Sequence, residues 1–175
     1  MINLRRYTVD DRASVRATFS DIFDNAELRY IDENLFDGPS IIGVDGDGAV
    51  QAFILVENTP EGFTDCEIAY LGVSLAWRRQ GLAKRLIRTV QEVMSKGGGV
   101  WLKVLERNVG ARRLYEELGF VVGERYTIEG EVGLTLVWDV AYQCSVCTTM
   151  LTPATVAWSG VGEKIRPYCR GCDGR

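Results

Sequence analysis

Val73-Ser-Leu-Ala-Trp-Arg-Arg-Gln-Gly-Leu-Ala83 joins two apolar patterns of different period. Ahead of it, Asp65 to Leu75 reads as a strand with apolar residues on both faces: Ile68, Tyr70 and Gly72 on one, Ala69, Leu71 and Val73 on the other. Such a strand needs cover on both sides and lies centrally in an α/β sheet. Behind it, Leu82, Leu86, Val90 and Val93 recur at helical spacing until Gly97-Gly-Gly99 stops the helix. Arg78, Gly81 and Ala83 stand between the patterns in the spacing RxxGxA. Amides from about Arg79 to Lys84 lack intrahelical partners, and unpaired donors at the positive end of a helix dipole favour an anion. The junction predicts a phosphate-binding turn, although the spacing alone also occurs at ordinary helix starts.

Upstream, Ile2 to Thr8 predicts a first strand. Asp10-Asp11 then caps a helix whose apolar contacts are Ala13, Val15, Ala17, Phe19, Ile22 and Phe23. A second helix runs from about Ala26 to Phe36 and stops at Gly38-Pro39. Ser40 to Val44 and Ala49 to Glu57 pair across Asp45-Gly-Asp-Gly48, whose composition suits a hairpin turn. Downstream, Val100 to Leu105 is a strand, and Asn108 to Leu118 a helix with Ala111, Leu114, Tyr115 and Leu118 on one face, ended by Gly119. Val121 to Ile128 and Val132 to Tyr142 are strands flanking Glu129-Gly130. The fold class is α/β (α+β), with a mixed central sheet flanked by helices. Two domains are expected: a core domain of residues 1–141, and residues 142–175 as a small cysteine-bearing module.

The 175 residues are 46% hydrophobic and 25% charged, an ordinary globular composition. A net charge of −4 argues against a chain built to coat nucleic acid. The last 34 residues differ, with Lys164, Arg166, Arg170 and Arg175 against Glu163 and Asp173. There is no histidine, which excludes Ser-His and Cys-His nucleophile pairs and any imidazole base. Met1-Ile-Asn-Leu-Arg-Arg reads as a charged strand rather than a signal peptide, and no apolar run reaches membrane-spanning length. The expectation is a cytoplasmic protein without membrane contact, in a compartment where clustered thiols are more often metal ligands than disulfides.

Cys144-Ser-Val-Cys147 and Cys169-Arg-Gly-Cys172 have the spacing of a tetrathiolate zinc site of the zinc-ribbon type. So short a module needs a staple to fold, and structural Zn2+ supplies one. Val156, Ala157, Trp158 and Ile165, around Gly160 and Gly162, suit a small hairpin between the knuckles. The module's positive charge suits a nucleic-acid or acidic protein partner, and a purely structural cap fits equally well. Cys66 stands apart as a buried apolar residue.

The element order and two motifs resemble the GNAT superfamily of acyl-coenzyme A dependent N-acetyltransferases. Val73 to Ala83 matches the family's pyrophosphate loop, and Asn108-Val-Gly-Ala-Arg-Arg-Leu-Tyr-Glu-Glu-Leu-Gly-Phe120 matches NxxAxxLYxxxGF at every specified position. The resemblance implies acetyl-CoA as co-substrate and a primary amine, on a protein or a small molecule, as acceptor. It assigns the pyrophosphate to Arg78, Arg79, Gly81, Leu82, Ala83 and Lys84, and the pantetheine arm to the backbone of Leu71 to Val73. Asn108 resembles the asparagine that contacts the pantetheine region, and Tyr115 the tyrosine near the coenzyme sulfur, a general acid for the departing thiolate. Read without the family, Asn108 is a helix N-cap and Tyr115 a core residue. Glu67 is the first candidate for general base, because several family members place an acidic residue there; a solvated charge near a strand start is the other reading. Tyr126 and Tyr30 are weaker candidates. The alternative to an enzyme is an acetyl-CoA-binding sensor or adaptor whose ribbon recognises nucleic acid or a protein.

Overall fold

A computed structural model describes the chain except residues 24, 35, 60–64, 96–97, 129, 139–141, 144–149, 152–155, 160–165 and 170–175. The backbone divides into two compact units, Met1–Lys96 and Gly97–Arg175. The first carries β1 (Asn3–Arg6), α1 (Arg12–Ser20), α2 (Asn25–Glu33), β2 (Ile41–Val44), β3 (Val50–Asn58), β4 (Cys66–Val73) and α3 (Leu82–Met94). Its strands form an antiparallel ladder in the order β1-β2-β3-β4.

Asp11 holds the N-cap position of α1, as expected, although its side chain bonds no amide of that helix. A 3-10 turn, Val9–Asp11, precedes α1, and its N-cap is Thr8. Asp11 is the reciprocal partner: its carboxylate accepts from the Thr8 amide at 2.9 Å and from both Arg5 terminal nitrogens at 2.6 and 2.8 Å. On α1, Val15 and Phe19 are buried, whereas Ala13 and Ala17 are exposed. A helical period selects 15, 18, 19 and 22, and Thr18 fills its place by donating to the Val50 carbonyl at 2.6 Å. The Asp45 turn forms as expected, its carboxylate accepting from the amides of Asp47 and Ala49, with Gly48 at φ +82°.

β3 separates two apolar layers. Phe53 and Leu55 join Val15, Phe19, Leu28, Ile31 and Phe36 in the core beneath α1 and α2. On the other side α3 packs on β2, β3 and β4, burying Leu82, Leu86, Ile87 and Val90. Val93 is half exposed, and Ile87 takes the position expected of it. β4 ends at Val73 rather than Leu75, because Ser74 turns the chain: its amide donates to Gln51 O and its hydroxyl to Gln51 Oε1. Leu75–Trp77 then wind into a 3-10 turn with Leu75 exposed.

The second unit carries β5 (Val100–Leu105), α4 (Val109–Glu117), β6 (Val121–Ile128) and β7 (Glu131–Trp138), its strands antiparallel in the order β5-β7-β6. Gly119, at φ +86°, ends α4 in the expected left-handed conformation. The last long strand is described over Glu131–Trp138, and residues 139–141 of its expected end lie outside the described residues. Two small antiparallel pairs follow, β8 (Tyr142–Gln143) with β9 (Met150–Leu151) and β10 (Val156–Ser159) with β11 (Arg166–Cys169). β10 and β11 pair where the small hairpin is expected, and its Gly160, Gly162 and Ile165 lie outside the described residues. Cys169 closes β11 opposite Val156, while Cys144, Cys147 and Cys172 lie outside the described residues. Cys66 is fully buried, and burial pushes its thiol up to about 12. Among the described residues, no helix is long and apolar enough to cross a membrane.

Candidate active site

The turn between β4 and α3 has the backbone the sequence calls for. Arg79 and Gly81 both lie in the left-handed region, at φ +63° and +78°, and Gly81 is the N-cap of α3. The helical ladder begins with Arg85 N donating to Gly81 O at 3.1 Å. The amides of Leu82, Ala83 and Lys84 fall before that first bond, in the opening turn of the helix. A Cβ built on Gly81 meets no protein atom within 4 Å, so the surface over the helix start is open. Leu82 itself is buried, which leaves its amide rather than its side chain for a ligand. Arg78 takes a part the sequence does not show: its Nε donates to the Val73 carbonyl at 2.9 Å, tying the turn to the end of β4. Arg79 and Lys84 are exposed beside it. Cations and outward amides at a helix N-terminus together make an anion site.

β4 itself departs from regular alternation. Leu55 pairs with Tyr70, and the next residue of β3, Val56, pairs with Ile68, so Ala69 is an extra residue in a β-bulge. In a regular strand Glu67 and Tyr70, three apart, face opposite sides. The bulge reverses that. Tyr70 lies opposite Leu55 and Glu67 opposite Glu57, and Leu55 and Glu57 share a face of β3. The expected grouping of Ile68 with Tyr70 and Gly72 is thereby corrected: Ile68 falls with Leu71 and Val73, opposite Val56, Ile54 and Ala52.

Glu67 thus stands on the face covered by α1 and α2, among groups the sequence did not link to it. The Tyr30 hydroxyl donates to both Glu57 oxygens at 2.9 Å. The Tyr30 ring meets Tyr70 edge-on at 5.7 Å and Phe36 at 6.2 Å. Burial, the bond to Glu57 and the charges of Glu57 and Glu67 raise the Tyr30 phenol above its ordinary range. A phenol so committed is a donor, which removes Tyr30 from the candidate bases. Glu57 is a residue of this cluster that sequence reasoning did not single out. It closes an apolar run, and only the β3–β4 register, hidden by the turn and the bulge, sets it opposite Glu67.

In the second unit, Asn108 is the N-cap of α4, its Oδ1 accepting from the Ala111 amide at 3.2 Å. Tyr115 is buried and packs edge-on against Phe120 at 5.6 Å. Its hydroxyl has no hydrogen-bond partner among the described residues, and burial pushes the phenol up to about 12. Both structural readings therefore hold, and neither consumes the groups a ligand would use: the amide nitrogen of Asn108 and the hydroxyl of Tyr115. Tyr126 lies opposite Gly133, where a Cβ would collide with its ring, so the glycine leaves room for the phenol.

Residues 10–120 match the acetyltransferase (GNAT) family. The chain belongs to this family and is an N-acetyltransferase. No curated protein sequence matches it significantly. Among solved structures, it is similar to a putative GNAT acetyltransferase from Desulfovibrio desulfuricans, with 20% identity, 81% of this chain and 100% of that one covered, and a TM-score of 0.68. The ribosomal-protein-S18-alanine N-acetyltransferase from Escherichia coli gives 19%, 78%, 92% and 0.65 in the same order. Arabidopsis thaliana NAA60, solved with a bisubstrate analogue, gives 24%, 79%, 97% and 0.63.

Proposed function

We propose that the chain moves an acetyl group from acetyl-CoA to a primary amine by direct attack, without a covalent acyl-enzyme. The observation carrying this reading is the open helix start at Gly81, with left-handed Arg79 and Gly81 ahead of the first helical hydrogen bond, from Arg85 N to Gly81 O. The amides of Leu82, Ala83 and Lys84, with Arg79 and the outer nitrogens of Arg78, hold the pyrophosphate. The backbone of Leu71 and Val73 holds the pantetheine arm, with the Asn108 amide nitrogen as a further contact. The amine nitrogen attacks the thioester carbonyl carbon, the C–S bond breaks, and the amine's proton passes to Glu67. Tyr115, which burial keeps protonated near neutral pH, protonates the thiolate and is itself reprotonated from solvent. Initial-rate kinetics with both substrates varied should give intersecting lines. Parallel lines, or an acetylated enzyme trapped without acceptor, would contradict direct attack.

Residues 142–175 are read as a module held by Zn2+ on Cys144, Cys147, Cys169 and Cys172. In support, β8 touches β11, the first cysteine pair begins one residue after β8, and the second begins on the last residue of β11. Four thiolates are a donor set that zinc binds tetrahedrally, and the bound ion cross-links the knuckles. The module's cationic residues suit an acidic protein or nucleic-acid partner. Thiol blocking alongside metal analysis should show four protected cysteines per zinc; fewer would remove the site.

A further inference from the structure

Two strand-borne carboxylates held directly opposite each other are an arrangement that sheets ordinarily avoid. Glu57 and Glu67 are register partners on β3 and β4, and like charges in that position repel across about 5 Å between Cβ atoms. The contact is stabilised from α2, where the Tyr30 hydroxyl bonds both Glu57 oxygens, and from β4, where Tyr70 braces the Tyr30 ring. A single bulged residue, Ala69, puts Glu67 on that face.

We propose that Glu57, clamped by Tyr30, is a positioning residue for the acyl transfer: its negative charge strengthens Glu67 as the acceptor of the amine's proton. The inference rests on Glu67 being the base. The titratable groups gathered there are Glu57 from β3, Tyr30 from α2, and Glu67 and Tyr70 from β4. Asp37, whose carboxylate accepts from the Asn58 amide at 3.1 Å, is the next charge beyond Glu57. Glu57 and Asp37 are both carboxylates, so the charges named here share the sign of Glu67.

The test follows the Glu67 side-chain carboxyl carbon by NMR titration of 13C-labelled full chain, a readout that needs no acceptor. Glu57→Gln should lower the Glu67 midpoint by about one pH unit, as expected for loss of a like charge at this separation under partial screening. Glu57→Asp, which keeps the charge, should hold it near the wild-type value. Thermal unfolding of both variants checks that they fold. A Glu67 midpoint unmoved by Glu57→Gln, or moved equally by Glu57→Asp, overturns the inference. The acid limb of kcat/KM, measured with the best amine acceptor found, tests the underlying reading separately. It should vanish in Glu67→Gln and shift down with the NMR midpoint in Glu57→Gln. A limb that survives Glu67→Gln removes Glu67 as base and this inference with it, whatever the NMR titration shows.

Discussion

Replacing Gly81 with alanine separates backbone strain from ligand contact. At φ +78° an alanine adopts a left-handed conformation that costs about 1 kcal/mol. The new Cβ meets no protein atom within 4 Å, so no steric clash inside the protein adds to that cost. For a chain of this length the melting temperature should fall by about 2–4 °C. The methyl group does, however, occupy the surface where the pyrophosphate backbone approaches, and coenzyme A affinity should fall by at least about tenfold, equivalent to about 1.4 kcal/mol. Gly48 is the matched control, because it has φ +82° and an equally open Cβ position, in a hairpin turn assigned no ligand. Calorimetric titration with coenzyme A and with pantetheine, which lacks the pyrophosphate, distinguishes the effects. Gly81→Ala should lose coenzyme A affinity and retain that for pantetheine, whereas Gly48→Ala should lose stability alone. Equal coenzyme A affinity in the two variants would refute the assignment of the pyrophosphate to this turn.

Tyr115→Phe should lower kcat by about tenfold or more with little change in coenzyme A affinity, and because the phenol is pushed up to about 12, no basic limb below about pH 11 should be lost with it; an unchanged kcat removes Tyr115 from the chemistry. Gly72→Ala should cost about 1–3 kcal/mol in urea unfolding, since the added Cβ would overlap the Phe53 ring and press on Ile22 in the core; a neutral effect would contradict that packing. Asp11 is held near 2 by Arg5 and the Thr8 amide, below its unfolded value near 4. Its contribution is therefore complete above about pH 4 and is lost as pH falls toward 2, so the stability curves of wild type and Asp11→Asn should converge over that window. Parallel curves there would show that the pair adds nothing.

Much of the fold could be read from local chemistry. The Asp45-Gly-Asp-Gly48 hairpin, the Gly119 stop and the apolar stripe of α3 each follow from residues close in sequence whose conformational needs agree. The turn between β4 and α3 was legible for the same reason, as Gly81 supplies its left-handed φ locally. What could not be read depends on pairing between distant residues. The Ala69 bulge changes which face Glu67 occupies, and nothing in Glu67-Ile-Ala-Tyr70 distinguishes a bulged strand from a regular one. Tyr30 and Glu57 meet across 27 positions through a hydrogen bond that only the packing of α2 on β3 creates. The Arg78 bond to Val73 was equally hidden, because a charge next to a phosphate turn reads as a ligand contact before it reads as a brace.

The most direct test is coenzyme A release from acetyl-CoA by the full chain against pooled peptides, small amines and nucleic acids, with products identified by mass. Release that depends on an amine, yielding a product heavier by one acetyl group, is the expected result. Tight acetyl-CoA binding with no acetylated product from any pool would contradict it and leave a coenzyme-binding protein in place of an enzyme.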